Sequence, residues 1–200
     1  MTSSSLDELI QALGCLPGVG RKSAQRMALY LLERDQQGAR RIADAMLGAL
    51  ENIQHCQRCR NFSDSDVCDI CADSQRDMGC ICVVETPADV IAVESSAAFA
   101  GRYFVLMGKL SPLDGYGPAQ LGLEDLEQQL ADGSVRELIL ATSATVEGDI
   151  TAQYIADFAA RHDVASSRLA RGIPLGGELE FVDSGTLSRA LQGRQQIDKS

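Results

Sequence analysis

The sequence holds no tryptophan, and aromatic residues make up only 4% of it, so stacking of bases on aromatic side chains is not expected as a main mode of nucleic-acid binding. No apolar run approaches the roughly 18 residues that a bilayer-spanning helix needs, so no membrane partner is expected. The first eight residues, Met1 to Glu8, lack the basic start and apolar stretch of a secretory signal. There is no Gly-x-x-x-x-Gly-Lys-Ser/Thr stretch to hold a nucleotide phosphate, and no internal repeat of about 20–50 residues. Positive charge is scarce: 18 Lys and Arg stand against 28 Asp and Glu, for a net charge of −10. A surface that coats nucleic acid generally is thereby excluded.

The charge is unevenly placed. Residues 1–60 carry eight Lys and Arg against six acids, a balance of +2, and residues 61–200 carry ten against twenty-two, a balance of −12. The N-terminal part can meet an anionic partner while the remainder repels one. Seven cysteines, an odd number, fit the reducing cytoplasm better than a disulfide scaffold.

Four of those cysteines form two C-x-x-C pairs, Cys56/Cys59 and Cys68/Cys71, with eight residues between the pairs. Two such corners joined by a short loop supply four thiolates to one tetrahedral ion, which suits zinc. Four protein ligands leave no position open for water, so the ion is expected to be structural. The spacer is shorter than the usual zinc-ribbon spacing of roughly 15–20 residues, so the knuckle must be small. A redox dithiol would need one pair opening a helix after a strand. His55 adjoins Cys56 and could substitute as a ligand, but the four cysteines suffice.

Ahead of the cysteines the periodicity is helical. Helices are expected over about 6–13, 21–33 and 38–53, with Ala24, Met27, Ala28, Leu31 and Leu32 inward on the second and Ile42, Ala45, Met46, Ala49, Leu50 and Ile53 inward on the third. Leu16-Pro17-Gly18-Val19-Gly20 punctuates the first two. Gly18 and Gly20 allow close backbone approach. The helix that follows presents free N–H groups, and Lys22 and Arg26 lie one turn apart on one face. A phosphate fits there, without any reading of base edges, so binding would be sequence-independent and salt-sensitive. The same features suit an ordinary helix–helix turn with a solvated basic face.

After Gly79 the pattern changes to buried strands near 80–84, 103–107, 137–141 and 167–169, alternating with helices near 87–97, 123–131 and 149–162, and a last helix over about 186–191. The βαβαβαβ order implies a parallel sheet. Glu85 ends the first strand, Asp89 follows it, and Glu147-Gly148-Asp149 follows the third. Glu85, Glu147 and Asp149 could converge at the carboxyl ends of the strands and hold a hard cation such as Mg2+. Alternatively the acids cap helix N-termini.

The Leu16–Gly20 turn resembles the helix-hairpin-helix motif, which implies contact with the DNA backbone. Val84–Val90 and Val146–Asp149 resemble the two acidic motifs of the Toprim domain shared by topoisomerases and primases. The second motif is usually Asp-x-Asp there, and Glu147 in its first position argues against metal-dependent catalysis. A topoisomerase also needs a tyrosine nucleophile on a separate domain, whereas Tyr103, Tyr116 and Tyr154 lie inside the α/β module.

Taken in order with the four cysteines and the stretch Arg171-Gly172-Ile173-Pro174-Leu175-Gly176-Gly177-Glu178-Leu179-Glu180, these motifs resemble the RecR family of bacterial recombination mediators over almost the whole chain. The resemblance implies four parts: a helix-hairpin-helix DNA-binding domain over 1–53, a four-cysteine zinc finger over 54–76, a Toprim-like α/β module over 77–175, and a C-terminal segment with its helix and tail over 176–200. It implies a non-enzymatic repair factor, a ring-shaped homotetramer that encircles DNA and works with RecO and RecF to load RecA on single-stranded gaps. Gly18, Gly20, Lys22 and Arg26 would contact DNA, Cys56, Cys59, Cys68 and Cys71 would hold zinc, and Glu85, Asp89, Glu147 and Asp149 would sit where RecO is engaged. The segment around Glu178 to Leu191 would help close the ring. The alternative from a different class is a Mg2+-dependent Toprim nuclease using Glu85, Glu147 and Asp149.

Overall fold

A computed structural model describes residues 4–170, 172–174 and 176–194. Arg171 and Leu175 of the Gly-rich stretch, and the tail from 195, lie outside the described residues. The chain divides into two compact units, Met1–Ile53 and Gln54–Ser200.

The first unit is three helices: α1 (Ser5–Leu13), α2 (Arg21–Glu33) and α3 (Gln36–Asn52). Ser4 caps α1 by accepting from the Asp7 N–H, and Asp35 caps α3 by accepting from Gly38 at 2.7 Å. Of the faces expected to turn inward, only Ala24 and Ala28 are fully buried. Met27, Leu32, Ile42, Met46 and Ile53 are about half exposed, and Leu50 is 82% exposed. Three short helices have little interior to share, so side chains with helical apolar spacing exceed what the unit can cover. Cys15, just after α1, is exposed as well.

The second unit begins with a small hairpin, β1 (Gln54–His55) against β2 (Phe62–Ser63), and a single-turn helix α4 (Asp69–Ala72). The α/β module follows as β3 (Asp77–Val84), α5 (Pro87–Ser95), β4 (Gly101–Val105), α6 (Leu123–Ala131), β5 (Glu137–Ala141), α7 (Val146–Arg161) and β6 (Ala165–Arg168), and α8 (Ser184–Gln192) closes it. Pro112–Asp114 and Leu179–Phe181 are single 3-10 turns. The four strands are parallel in the order β4-β3-β5-β6. Successive strand residues point to opposite faces, and each face has its own core. Ile81, Val83, Phe104, Leu138 and Leu140 pack with α6 and α7. Cys82, Val84, Tyr103 and Val105 pack with Val90 and Val93 of α5. Cys82 is thus core.

On the α5 side, Glu94 accepts from Tyr103 Oη at 2.6 Å and from both terminal nitrogens of Arg76, one at 2.8 Å. These donors, Arg76 foremost, hold the Glu94 carboxyl below the usual carboxylate range. The network ties the segment after α4 to the sheet edge. No helix among the described residues is long and apolar enough to cross a membrane.

The strand order fixes where a site belongs. From β3 the chain moves outward to β4, then returns to the other side of β3 for β5 and β6. The switch point therefore lies between β3 and β5, at their carboxyl ends, where Glu85 and the segment 142–149 emerge.

Candidate functional site: phosphate turn, metal knuckle and acidic crevice

In the first unit, the turn between α1 and α2 has Gly18 at φ +80°, a left-handed conformation that side chains rarely adopt. Val19 donates to Leu16 O at 3.1 Å to close it. Gly20 is the N-cap of α2 at φ −77°, an ordinary value, and no side chain caps the helix. A Cβ placed on Gly18 or Gly20 would meet no atom within 4 Å. Gly20 therefore satisfies neither a backbone demand nor a packing demand of the unit. Its missing side chain leaves the first N–H groups of α2 open to whatever approaches. The first turn of α2 has no acid. Lys22 and Arg26 are exposed, and neither enters an ion pair among the described residues. Arg21, not singled out from the sequence, is exposed on the same first turn.

In the second unit the four cysteines come together. Their sulfurs lie within 4.8 Å of one another, the only such group of three or more metal-ligating side chains among the described residues. Cys56, Cys59, Cys68 and Cys71 are 1%, 2%, 7% and 0% exposed. The first pair sits on the turn of the β1–β2 hairpin, where Cys56 donates to Asn61 O at 2.8 Å and Arg60 donates to Cys56 O at 2.9 Å. The second pair opens α4, with Cys68 as N-cap. The Cys68 N–H donates to Cys56 Sγ at 3.3 Å. Burial pushes the Cys68 thiol up to about 11. It opposes ionisation of Cys56 too, but the backbone N–H groups of Cys59, Cys68 and Arg58 outweigh it and bring that thiol down to about 7. Four buried sulfurs in one shell, with N–H groups directed at them, fit a four-thiolate zinc ion. His55 is outside the shell; its Nδ1 is 3.0 Å from Arg60 O and its ring stacks on Phe62.

The knuckle is welded to the α/β module. Val105 of β4 donates to Cys59 O at 2.8 Å, and Gln129 of α6 donates to Arg58 O at 2.8 Å. Arg60 donates to Gln120 O at 3.2 Å and lies over the Phe104 ring at 5.8 Å. Ile70 packs on both the cysteines and the sheet.

At the switch point, Glu85, Glu147 and Asp149 are placed at the strand ends as expected, but they do not meet on one cation. No three carboxylate oxygens come within 4.8 Å of one another among the described residues, and each acid has its own partner. Glu85 Oε1 accepts from both the N–H and the Oγ of Ser143, at 2.8 Å each. Glu147 is 3.4 Å from Lys109 Nζ, and Asp149 is 2.9 Å from Arg168 Nη2. Asp89 closes a capping box, accepting from the Thr86 N–H at 2.8 Å. Glu147 and Asp149 themselves belong to the first turn of α7, which begins at Val146 rather than near 149. The residues present do not fit a divalent cation.

Profiles of four protein-family domains match successive stretches of the chain: the RecR helix-hairpin-helix over residues 6–50, the RecR four-cysteine zinc finger domain over 53–73, the Toprim domain over 79–170, and the RecR C-terminal domain over 172–195. A recombination protein RecR of Xanthomonas campestris pv. campestris is 55% identical over 195 residues, covering 98% of this chain and 99% of that protein. The recombination protein RecR of Alcanivorax borkumensis is 54% identical over 193 residues, 96% of each.

Proposed function

The chain belongs to the RecR family, and from that premise we propose that it is a non-enzymatic, DNA-binding mediator of recombinational repair that works as a ring-type homotetramer, with RecO and RecF, to help load RecA on single-stranded gaps. The observation that carries the DNA contact is the α1–α2 turn: an open glycine pair, an uncapped helix N-terminus without acids, and exposed Lys22 and Arg26. Such a turn holds backbone phosphates and reads no base edge. Two cations per chain are few against a net charge of −10. Four copies multiply them, and avidity from several weak contacts holds the clamp. The exposed apolar faces of α2 and α3, around Met27, Ile42, Met46 and Leu50, support self-association, because apolar side chains so exposed favour burial against another surface. Zinc, held by the four cysteines, shapes the knuckle and takes no part in chemistry. Glu85, Asp89, Glu147 and Asp149 lie at the crevice through which RecO would be engaged.

Lys22→Ala combined with Arg26→Ala should weaken binding to gapped DNA by about tenfold or more at low salt and flatten the dependence of log K on log salt, by roughly one unit per phosphate contact removed. Gly20→Ala should also weaken binding while costing no more than about 1 kcal/mol of stability, the penalty of alanine at an N-cap, since its methyl meets nothing in the chain. Light scattering with and without DNA reads the assembly in the same samples. Unchanged affinity and salt slope in the double variant would remove the turn from the interface. Mg2+-dependent nicking of DNA that Glu85→Ala abolishes would replace the mediator reading with a nuclease.

A further inference from the structure

We propose that Lys109 and Arg168 act as tethered cations at the acidic crevice, taking the electrostatic place that a divalent ion would need between the strand ends. Glu85, Glu147 and Asp149 stand at the switch point between β3 and β5, with Asp89 beside them tied into the capping box of α5. Three negative charges in one cleft repel, and an external cation is one way to relieve that. This chain relieves it from within. Lys109 Nζ is 3.4 Å from Glu147 Oε2 and 3.3 Å from Thr145 Oγ1. Arg168 Nη2 is 2.9 Å from Asp149 Oδ1 and 3.3 Å from Thr142 Oγ1. Among the described residues these two cations answer Glu147 and Asp149, and Glu85 is held instead by Ser143, which donates to it twice.

Neither cation is a loose surface side chain. On one side of Lys109, the Gly108 N–H donates to Glu85 O at 2.9 Å. On the other, the Leu110 N–H donates to Oγ1 of Thr151 at 2.9 Å, and Thr151 is fully buried on α7. The backbone on both sides of Lys109 is thus pinned to the crevice. Arg168 is the last residue of β6, registered opposite Leu140 of β5. Both side chains are about one third exposed, so each ion pair is individually modest. Their effect on a metal is larger than their effect on stability. An incoming dication must displace the cations from the carboxylates and then sit beside them.

The inference concerns metal binding alone and stands apart from the DNA and partner reading. It is tested with Mn2+ as probe, on the zinc-loaded full chain, by electron paramagnetic resonance of free Mn2+ and by titration calorimetry. Wild type is expected to show no Mn2+ site in the crevice at submillimolar concentration. Lys109→Gln/Arg168→Gln is expected to gain one, at least about tenfold tighter, and Glu147→Gln in that background to lose it again. Lys109→Gln alone, a milder change, is expected to move affinity severalfold in the same direction. Wild-type Mn2+ binding that Glu147→Gln abolishes, as tight as in the double variant, would overturn the proposal. So would a double variant with unchanged melting temperature that gains no site.

Discussion

Stripping the metal, or replacing Cys71 by serine, is expected to lower the melting temperature by more than about 10 °C and to do so before any effect on DNA binding is read. The knuckle has almost no apolar interior of its own: Val67 and Ile70 are the side chains that pack on the four cysteines. Its core is the ion. Apparent binding free energies of structural zinc in small fingers are about 10–16 kcal/mol, and that energy is folding energy. Even about 6 kcal/mol of that, at roughly 2–4 °C per kcal/mol for a chain of this size, exceeds the stated shift. The damage does not stay local. Cys59 O is the acceptor for Val105 N–H on β4, an edge strand, and Arg58 O is the acceptor for Gln129 on α6. Losing them uncovers a sheet edge, so the stripped protein should aggregate on heating. The helices of residues 5–52 form a separate compact unit and should keep their helical signal. The measurement is calorimetry with far-ultraviolet circular dichroism on zinc-free and zinc-restored samples. A stripped protein that melts at the same temperature and stays assembled would mean that the knuckle is held by something other than metal.

Much of this was legible in the chain because the signals were local. The helix from Arg21 to Glu33, the helix from Leu123 to Ala131 and the strand from Glu137 to Ala141 have the bounds that periodicity and glycine punctuation predict. The cysteine quartet is legible because its spacing is a chemical constraint in itself. Three things were not legible. The start of α7 lies three residues before the expected one, because Glu147-Gly148 reads as the end of a loop, whereas Thr145 caps the helix through the Gly148 N–H at 3.1 Å. The apolar positions of α2 and α3 gave the right helices but the wrong burial, since periodicity states which face is apolar and not what covers it. The partners of the acids are far away in sequence: Lys109 is 38 residues from Glu147, Ser143 is 58 from Glu85, and Arg168 is 19 from Asp149. No local pattern announces them. Only the sheet order brings them together.

Gly148→Ala is expected to destabilise the protein by about 3 kcal/mol, although helix propensity alone predicts the opposite sign. In the interior of an exposed helix, glycine to alanine stabilises by up to about 1 kcal/mol. Gly48 of α3, with no atom nearer than 4.0 Å to a new Cβ, should behave that way and serves as the control. Gly148 is in the first turn of α7 with ordinary helical geometry, yet a Cβ there would lie 2.2 Å from Ser143 O, 2.6 Å from its Oγ and 3.0 Å from its carbonyl carbon. Two of those three atoms are backbone, which no side-chain rotation can clear. The 142–145 turn must move, and overpacking of this kind costs about 1–3 kcal/mol, occasionally more. The same turn supplies the Ser143 N–H and Oγ that hold Glu85, and Thr142 Oγ1 donates to Gly148 O at 2.8 Å. Displacing it unpairs a half-buried carboxylate as well, which places the expected cost at the upper end of that range. Urea unfolding of Gly148→Ala beside Gly48→Ala measures the contrast. Equal stability of the two variants would contradict the close packing at Ser143. A large gap would mean that the glycine of Glu147-Gly148-Asp149 is required by the turn pressed against α7, a demand that holds whether or not any metal visits the crevice.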